Sequence, residues 1–298
     1  MNKDIITELF TCTECGSNLK NEEDYFLCEN CDKKIPFQDS ILDFGVDEQK
    51  YSNNWSNTTS EEEAMKWINS LIEQGYLNED DIKVMQKSIN HEDILKNWDR
   101  AVDLIRKEYY NSDNEIIVDL ASGMASVLNE KLGEKIDFKK LEGKTIILTD
   151  LSKTVLKKVR KRLKNKIDNL NLIYAVCDVS NIPMKENSVD FISSAGVFSN
   201  SEEGLKILDN CKRILNNNSK LNIFEFLSED ESRTQKLKIH NGGDIEFTTP
   251  ERFEKVLDNS NFNNISVSKM YEGKARLRGD MFPLKDEKTV LTFIEAEK

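Results

Sequence analysis

Basic charge, proline and long apolar runs are all scarce in this chain. Its 42 Lys and Arg stand against 54 Asp and Glu, a formal net charge of −12. That field repels phosphate backbones and so disfavours a nucleic-acid partner, although a local basic face is compatible with it. No apolar run approaches the roughly 18 residues of a membrane-spanning helix. The first ten residues, MNKDIITELF, lack a cationic start followed by a long apolar core, so no secretory signal is expected. With only 4 prolines and many Lys, Asn, Glu and Ile, the composition predicts a folded cytoplasmic chain rather than a disordered one. An apolar fraction of 38% over 298 residues suffices for one large domain, or a main domain with a small appendage.

Glycine is sparse in the stretch that organises the chain, EIIVDLASGMAS at 115–126. An apolar run ends in Asp119, breaks into small residues and leads into a helical pattern from Val127. A buried strand, a tight turn and a helix start form a nucleotide-binding corner, because small residues admit a ligand close to free backbone N–H groups. The dinucleotide fingerprint G-x-G-x-x-G is absent, and Gly123 alone remains.

Cysteine is present with metal-ligand spacing. Cys12, Cys15, Cys28 and Cys31 make two C-x2-C pairs, with Gly16 after the first and Glu29-Asn30 inside the second. Two such knuckles on facing hairpins place four thiolates tetrahedrally around zinc, and about forty residues need that metal for stability. Two disulfides are the alternative, which a reducing cytosol opposes. The expectation is a zinc ribbon over residues 1–46, its metal structural because a closed four-cysteine site leaves no open position. Recognition of a partner and bracing of the fold both stay open as its role. Cys177 and Cys211 read as buried core thiols.

Residues 47–112 read as a helical connector or lid. A polar link (38–57) precedes a helix start at Thr58-Thr59-Ser60 with acids at 61–63, then apolar residues at helical spacing from Ala64 to Ile72. Further helices fit 79–89 and 91–109. Such helices either lie over a ligand edge as a lid or form a packing layer. Tyr51, Trp55 and Trp98 are the aromatics placed to matter, while His91 reads as a capping neighbour before it reads as a base.

From residue 113 onward strands and helices alternate. Strands are expected at 115–120, 144–149, 171–177, 189–194, 219–226, 264–270 and 288–295, and helices at 124–133, 152–168, 201–215 and 250–259. The pattern predicts a mostly parallel sheet covered on both faces, with the last two strands antiparallel. Asp150 ends the second strand, where an acid faces the ligand crevice and can accept two ribose hydroxyls, or else caps the next helix, a task Ser152 can also perform. That helix carries eight Lys or Arg between 152 and 168, but Val155, Leu156, Val159, Leu163 and Ile167 form one apolar stripe, so the charges line its solvated face.

VDLASGMAS, TDLS at Asp150 and CDVSNIPMKENSVDFI together resemble the class I S-adenosylmethionine-dependent methyltransferases, of the methyltransferase type 11 kind. The resemblance covers 113–298 and includes CKRIL-NNNSKLNIFEF and TPERFEKVLDNSNF. It implies a Rossmann-like, seven-stranded, mostly parallel sheet preceded by the zinc ribbon and the connector. By the same resemblance Asp119 lies near the methionine amino group, and the backbone of Ala121, Ser122 and Gly123 cradles methionine and ribose. Asp150 holds the ribose hydroxyls with Leu151 flanking the adenine. Asp178 accepts the adenine amino group with Val179 against the ring, and Ser194, Ala195 and Gly196 lie under the sulfonium. Where the family shows Gly-x-Gly-x-Gly, this chain has Ala121, Gly123 and Ala125, and affinity would fall if either alanine stood where only glycine fits.

A four-cysteine module ahead of this fold is also similar in architecture to ribosomal-RNA guanine N1-methyltransferases, although the acidic charge and the lack of a basic-aromatic strip do not follow them. N-P-P-Y is absent after the fourth strand, where the chain reads SSAGVFSN. Acceptor-side candidates are Asn200, Glu225 at the end of the fifth strand, and His240 in a segment (228–249) whose Asn241-Gly242-Gly243 suggests a mobile flap. The leading expectation is methyl transfer to a small molecule or a protein or peptide. An rRNA base methyltransferase and a non-catalytic cofactor-binding scaffold are the alternatives.

Overall fold

A computed structural model describes residues 3–46, 61–85, 92–164, 170–274 and 283–298. Tyr51, Trp55, His91 and the expected cap at 58–60 lie outside the described residues. The chain opens with α1 (Asp4–Leu9) and four short strands, β1 (Leu19–Asn21), β2 (Tyr25–Cys28), β3 (Lys34–Gln38) and β4 (Ile41–Asp43). Helices α2 (Glu61–Glu73), α3 (Glu79–Met85) and α4 (Glu92–Tyr110) follow. Then come β5 (Ile116–Leu120), β6 (Thr145–Asp150), α5 (Lys153–Leu163), β7 (Asn171–Val176), β8 (Val189–Ala195), α6 (Gly204–Ile214), β9 (Leu215–Ser228), α7 (Arg233–His240), α8 (Pro250–Asn259), β10 (Asn263–Gly273) and β11 (Thr289–Glu297).

The seven strands from β5 onward pair in the order β7-β6-β5-β8-β9-β11-β10. Pairing is parallel from β7 to β9 and antiparallel across β9-β11-β10. Strands covered on both faces need no apolar-polar alternation, and Ile146, Ile147 and Leu148 are all fully buried. The order reverses between β5 and β8, which opens a crevice at their carboxyl ends. Ser152 caps α5 by accepting from the Val155 N–H at 3.4 Å, and Leu156, Val159 and Leu163 form its buried stripe. Thr249 caps α8 ahead of Pro250 in its first turn.

The N-terminal strands extend this sheet. β4 pairs parallel with β7, Ile41 to Tyr174 and Asp43 to Val176, so the sheet runs to eleven strands. Ion pairs from Asp43 to Lys153 (2.7 Å) and Asp39 to Arg160 (3.0 Å) join the module to α5. The Thr11 N–H donates to the Pro183 carbonyl and the Lys185 N–H to that of Leu9, both at 2.9 Å. One apolar cluster runs from Cys12, Phe26 and Cys28 through Leu42 into Ile173, Ala175 and Ile192.

Helix α4 packs on the sheet through Ile94, Ala101, Ile105 and Tyr109. Leu71 and Leu77, in and just after α2, instead join Leu237 of α7 and Leu284 in a separate small core. Asp81 of α3, fully buried, pairs with Arg233 of α7 and accepts the Lys285 N–H at 3.1 Å.

Two expectations fail. No α-helix occupies 124–133; short 3-10 turns stand at 126–128 and 138–141. Ala125 enters the first turn in the left-handed region at φ 49°, and the carbonyls that would bond along a helix face Arg106 instead. Its guanidinium donates to the carbonyls of Val127 (2.8 Å), Asn129 (2.8 Å), Leu132 (2.8 Å) and Glu134 (2.6 Å). The segment 228–249 is built as a helix rather than as a flap. Ser232 caps α7, Glu287 accepts the N–H groups of Arg233 (2.8 Å) and Thr234 (2.6 Å), and a Cβ on Gly243 would lie 2.7 Å from the Ser199 carbonyl oxygen. Gly243 serves close packing, not hinging.

Candidate functional site

The corner after β5 is held by backbone bonds to the next strand. The Ala121 N–H donates to Thr149 Oγ1 (3.0 Å) and the Ser122 N–H to the Thr149 carbonyl (2.7 Å). The Gly123 N–H donates to Asp150 Oδ2 (2.9 Å), while Asp150 Oδ1 accepts the Ser152 N–H (2.8 Å). Ala121, Gly123 and Ala125 have φ of 47°, 51° and 49°, so the two alanines adopt the left-handed conformation that glycine usually supplies. From below, Arg162 of α5 donates to the carbonyls of Met124 (2.7 Å) and Ala125 (3.2 Å). From the side, α4 clasps the following segment: Asp99 accepts the Gly133 N–H (2.8 Å), Asp103 accepts that of Glu134 (2.9 Å), and Arg106 collects the four carbonyls named above. Sequence reading missed Thr149 and this clasp. Arg106 and the carbonyls it serves lie 21–28 residues apart, so no local pattern announced them.

Asp119 is buried at the end of β5, beside Ser193 of β8 in register. Ser193 Oγ donates to Asp119 Oδ1 at 2.9 Å and lies 3.0 Å from the Tyr109 hydroxyl. Burial pushes the Asp119 carboxyl up to about 7, opposed by the Ser193 hydrogen bond and reinforced by the negative charge of Asp150. Asp178 follows β7 and caps the turn Val179–Asn181, accepting the Ser180 N–H at 2.9 Å, with Val179 buried against the sheet. Cys177 and Cys211 are buried and burial pushes both thiols up, as core thiols behave.

Ser194, Ala195 and Gly196 end β8, and Gly196 turns the chain at φ 83° with its N–H on the Phe224 carbonyl (2.9 Å). Asn200 reaches back to donate to the Gly196 carbonyl at 2.7 Å. The carboxyl ends of β5, β6, β7 and β8 thus carry Asp119 with Ala121–Gly123, Asp150 with Leu151, Asp178 with Val179, and Ser194–Gly196. Two buried hydroxyls there, Ser122 Oγ and Ser194 Oγ, have no hydrogen-bond partner among the described residues.

The other acceptor-side candidates lie elsewhere. Glu225 is fully buried, and its two oxygens take the Phe198 N–H (2.9 Å) and the Ser199 hydroxyl (2.7 Å), fixing the turn that carries Asn200. Burial pushes its carboxyl up, while Ser199 and Lys238 pull it down. His240, exposed at the end of α7, stacks on Tyr76 with centroids 4.0 Å apart. Trp98 of α4 packs on Phe224 and Phe226 of β9 at 5.1 and 5.4 Å, forming an aromatic wall at the carboxyl end of that strand.

In the N-terminal module the four sulfurs of Cys12, Cys15, Cys28 and Cys31 lie within 4.8 Å of one another. The Cys12–Cys31 and Cys15–Cys28 separations are 3.5 and 3.4 Å, too long for disulfides and near the roughly 3.8 Å edge of a zinc–thiolate tetrahedron. The N–H groups of Glu14 and Asn30 point at Cys12 and Cys28 sulfurs at 3.4 Å, which favours thiolates. The chemistry of this donor set fits a thiophilic divalent metal.

Comparison with known proteins finds methyltransferases. A family described as "Methyltransferase domain" matches residues 132–223. A ubiquinone/menaquinone biosynthesis C-methyltransferase from Wigglesworthia glossinidia brevipalpis is 31% identical over 120 residues, covering 40% of this chain. The match spans 46% of that relative, less than half its length. Two solved structures of Haemonchus contortus phosphoethanolamine N-methyltransferase 2 align with TM-scores of 0.50 at 16% identity. One is bound to S-adenosyl-L-methionine, the other to phosphomonomethylethanolamine and S-adenosylhomocysteine. Each alignment covers 66% of this chain and 52% of that protein. Behind its four-cysteine module, the chain therefore carries a domain with the fold of these methyltransferases, within which residues 132–223 match a methyltransferase family.

Proposed function

We propose that the protein transfers a methyl group from S-adenosylmethionine to a small-molecule, or else a protein or peptide, acceptor. In this reading residues 1–46 form a zinc ribbon with structural Zn2+, 47–112 a connector, and 113–298 the catalytic domain. The observation that carries it is the donor edge: a backbone cradle at Ala121–Gly123 flanked by Asp119, Asp150 and Asp178, with Ser122 and Ser194 hydroxyls unpartnered. Bound there, the cofactor would supply an electrophilic methyl on a sulfonium. Asp119 would hold its ammonium, Asp150 its ribose, Asp178 and Val179 its adenine, and Ser194–Gly196 would lie by its sulfonium. Asp150, which accepts the Gly123 N–H in the free protein, would take the ribose hydroxyls in its place. Methyl transfer is an in-line displacement, so these residues contribute alignment and exclusion of water, and no general base is required.

The named relatives support a small acceptor, since one serves ubiquinone/menaquinone biosynthesis and another holds phosphomonomethylethanolamine. The ribosomal-RNA reading loses ground because the ribbon itself is acidic, with four lysines against ten acids in residues 3–46. The scaffold reading rested on Ala121 and Ala125, and both hold the left-handed conformation with their N–H groups bonded. Calorimetry with S-adenosylmethionine tests the proposal. Binding in the micromolar range is expected, and no heat at millimolar ligand would overturn it.

A further inference from the structure

Two buried polar side chains beside the donor edge have no part in the reading above. Tyr109 comes from α4 and Ser193 from β8, and both are almost wholly inaccessible. With Asp119 they form a chain of three groups, Tyr109 hydroxyl to Ser193 Oγ to Asp119 Oδ1, at 3.0 and 2.9 Å. Its direction follows from proton count. An ionised carboxylate only accepts, so Ser193 spends its one proton on Asp119, and Tyr109 must donate to Ser193.

Resting on the methyltransferase reading, we propose that Tyr109 and Ser193 are positioning residues that hold the Asp119 carboxylate ionised and aimed at the ammonium of the cofactor's methionine end. Without them a buried acid takes up a proton, and a protonated acid gives a cationic ammonium little reason to dock.

The surroundings of Asp119 define how this behaves. From β6 the Asp150 charge opposes ionisation, whereas from β8 the Ser193 hydroxyl favours it. From α4, burial and the Asp119 charge push the Tyr109 phenol well up, so it remains a donor. Thr149 donates only to the Asp119 backbone carbonyl, at 3.2 Å. With the carboxyl held at about 7, the free protein changes its Asp119 charge near neutrality. Docking of the ammonium then releases a proton at lower pH, and affinity falls about tenfold per pH unit well below the midpoint.

The test is calorimetric titration of the intact protein with S-adenosylhomocysteine and with methylthioadenosine from pH 5.5 to 8.5. The first probe keeps the amino-acid end, and the second lacks it but still meets Asp150 and Asp178. Wild-type affinity for S-adenosylhomocysteine should rise with pH to a plateau with a midpoint near 7, while methylthioadenosine binding stays flat. Ser193→Ala should move the midpoint upward and weaken S-adenosylhomocysteine about tenfold near pH 7, with the gap closing toward pH 8.5. Tyr109→Phe, which keeps the ring against Phe191, should move it less in the same direction. It carries the test if Ser193→Ala does not fold. A loss equal at every pH, an unmoved midpoint, or a methylthioadenosine profile that tracks the first probe would each overturn the relay. Absence of binding by wild type to either probe would sink the methyltransferase reading, and the relay with it.

Discussion

The four-cysteine module and the corner after β5 both fix a tight backbone, by opposite means. In the module the turns are held by side chains of one type converging on one point, in front of an apolar cluster continuous with that of the main sheet. In the corner the side chains are short, and the backbone is held by groups from three other elements: Thr149 and Asp150 of β6, Arg162 of α5, and Asp99, Asp103 and Arg106 of α4. The first arrangement concentrates the hold on its turns in four residues. The second distributes it, so single changes should be cheaper, except at the one residue that serves several carbonyls at once.

Removal of the proposed metal from the module should have the largest effect. Structural zinc in small domains is worth roughly 10–16 kcal/mol of apparent binding free energy, more than the stability of an ordinary domain. Cys28→Ser, or dialysis against a strong chelator, should therefore unfold β1–β4. Because β4 pairs with β7 and Thr11 with Pro183, the loss should reach the edge that leads to Asp178. Hydrogen exchange should show lost amide protection in β4 and β7 together with a lower melting temperature. Persistent protection of β7 after metal loss would show the module to be an independent appendage.

Arg106→Met is the corner's counterpart. It leaves four carbonyls without their donor and should cost about 3–5 kcal/mol in urea unfolding. S-adenosylhomocysteine affinity should fall with it, since Val127–Glu134 continues the cradle. A cost below about 1 kcal/mol would mean that water satisfies those carbonyls.

Asp119→Asn should act in the reverse direction on stability. Burial raises the folded-state carboxyl to about 7, above its unfolded value, so the native state binds the proton more tightly. Stability from this group is full below about pH 4 and is lost as pH rises toward 7. Three units correspond to about 4 kcal/mol as an upper figure. The asparagine should gain about 2 kcal/mol at pH 8 and little at pH 4, while losing cofactor affinity. Equal melting of the two proteins at pH 8 would show that the relay already offsets the burial penalty.

These contrasts also explain what could be read before the structure. Cysteine spacing states side-chain chemistry directly, and strands buried on both faces write themselves as runs such as Ile146–Leu148. The acids at strand ends, Asp119 and Asp150, were legible for the same reason: each closes an apolar run. The expected helix after the corner failed because Arg106, distant in sequence, claims its carbonyls. Helix α7 was hidden because Asn241-Gly242-Gly243 reads as a hinge, whereas Gly243 is small to admit Ser199 and Lys238. Tyr109 and Ser193 were invisible because 84 residues separate two ordinary side chains that the sheet register brings together. Glu225 has the position of an acceptor-side acid, yet its oxygens belong to the turn at Phe198–Asn200.

The smallest effects should come from exchanging alanine and glycine within the corner itself. Ala121 holds φ 47° and Gly123 φ 51°, so neither backbone need move. A Cβ on Gly123 would meet nothing nearer than the Ala121 carbonyl oxygen at 3.9 Å, so Gly123→Ala should cost only the left-handed penalty, about 1 kcal/mol. Ala121→Gly removes such a penalty but frees the unfolded chain by nearly as much, and should leave stability within about 0.5 kcal/mol. Affinity for S-adenosylhomocysteine should change less than about threefold in Ala121→Gly, because the N–H to Thr149 and its geometry persist. A tenfold tightening would mean that alanine had been distorting the cradle. Both measurements compare directly with Cys28→Ser: where a turn is held by many partners the identity of one small residue should matter little, and where four cysteines converge on one point each should matter greatly.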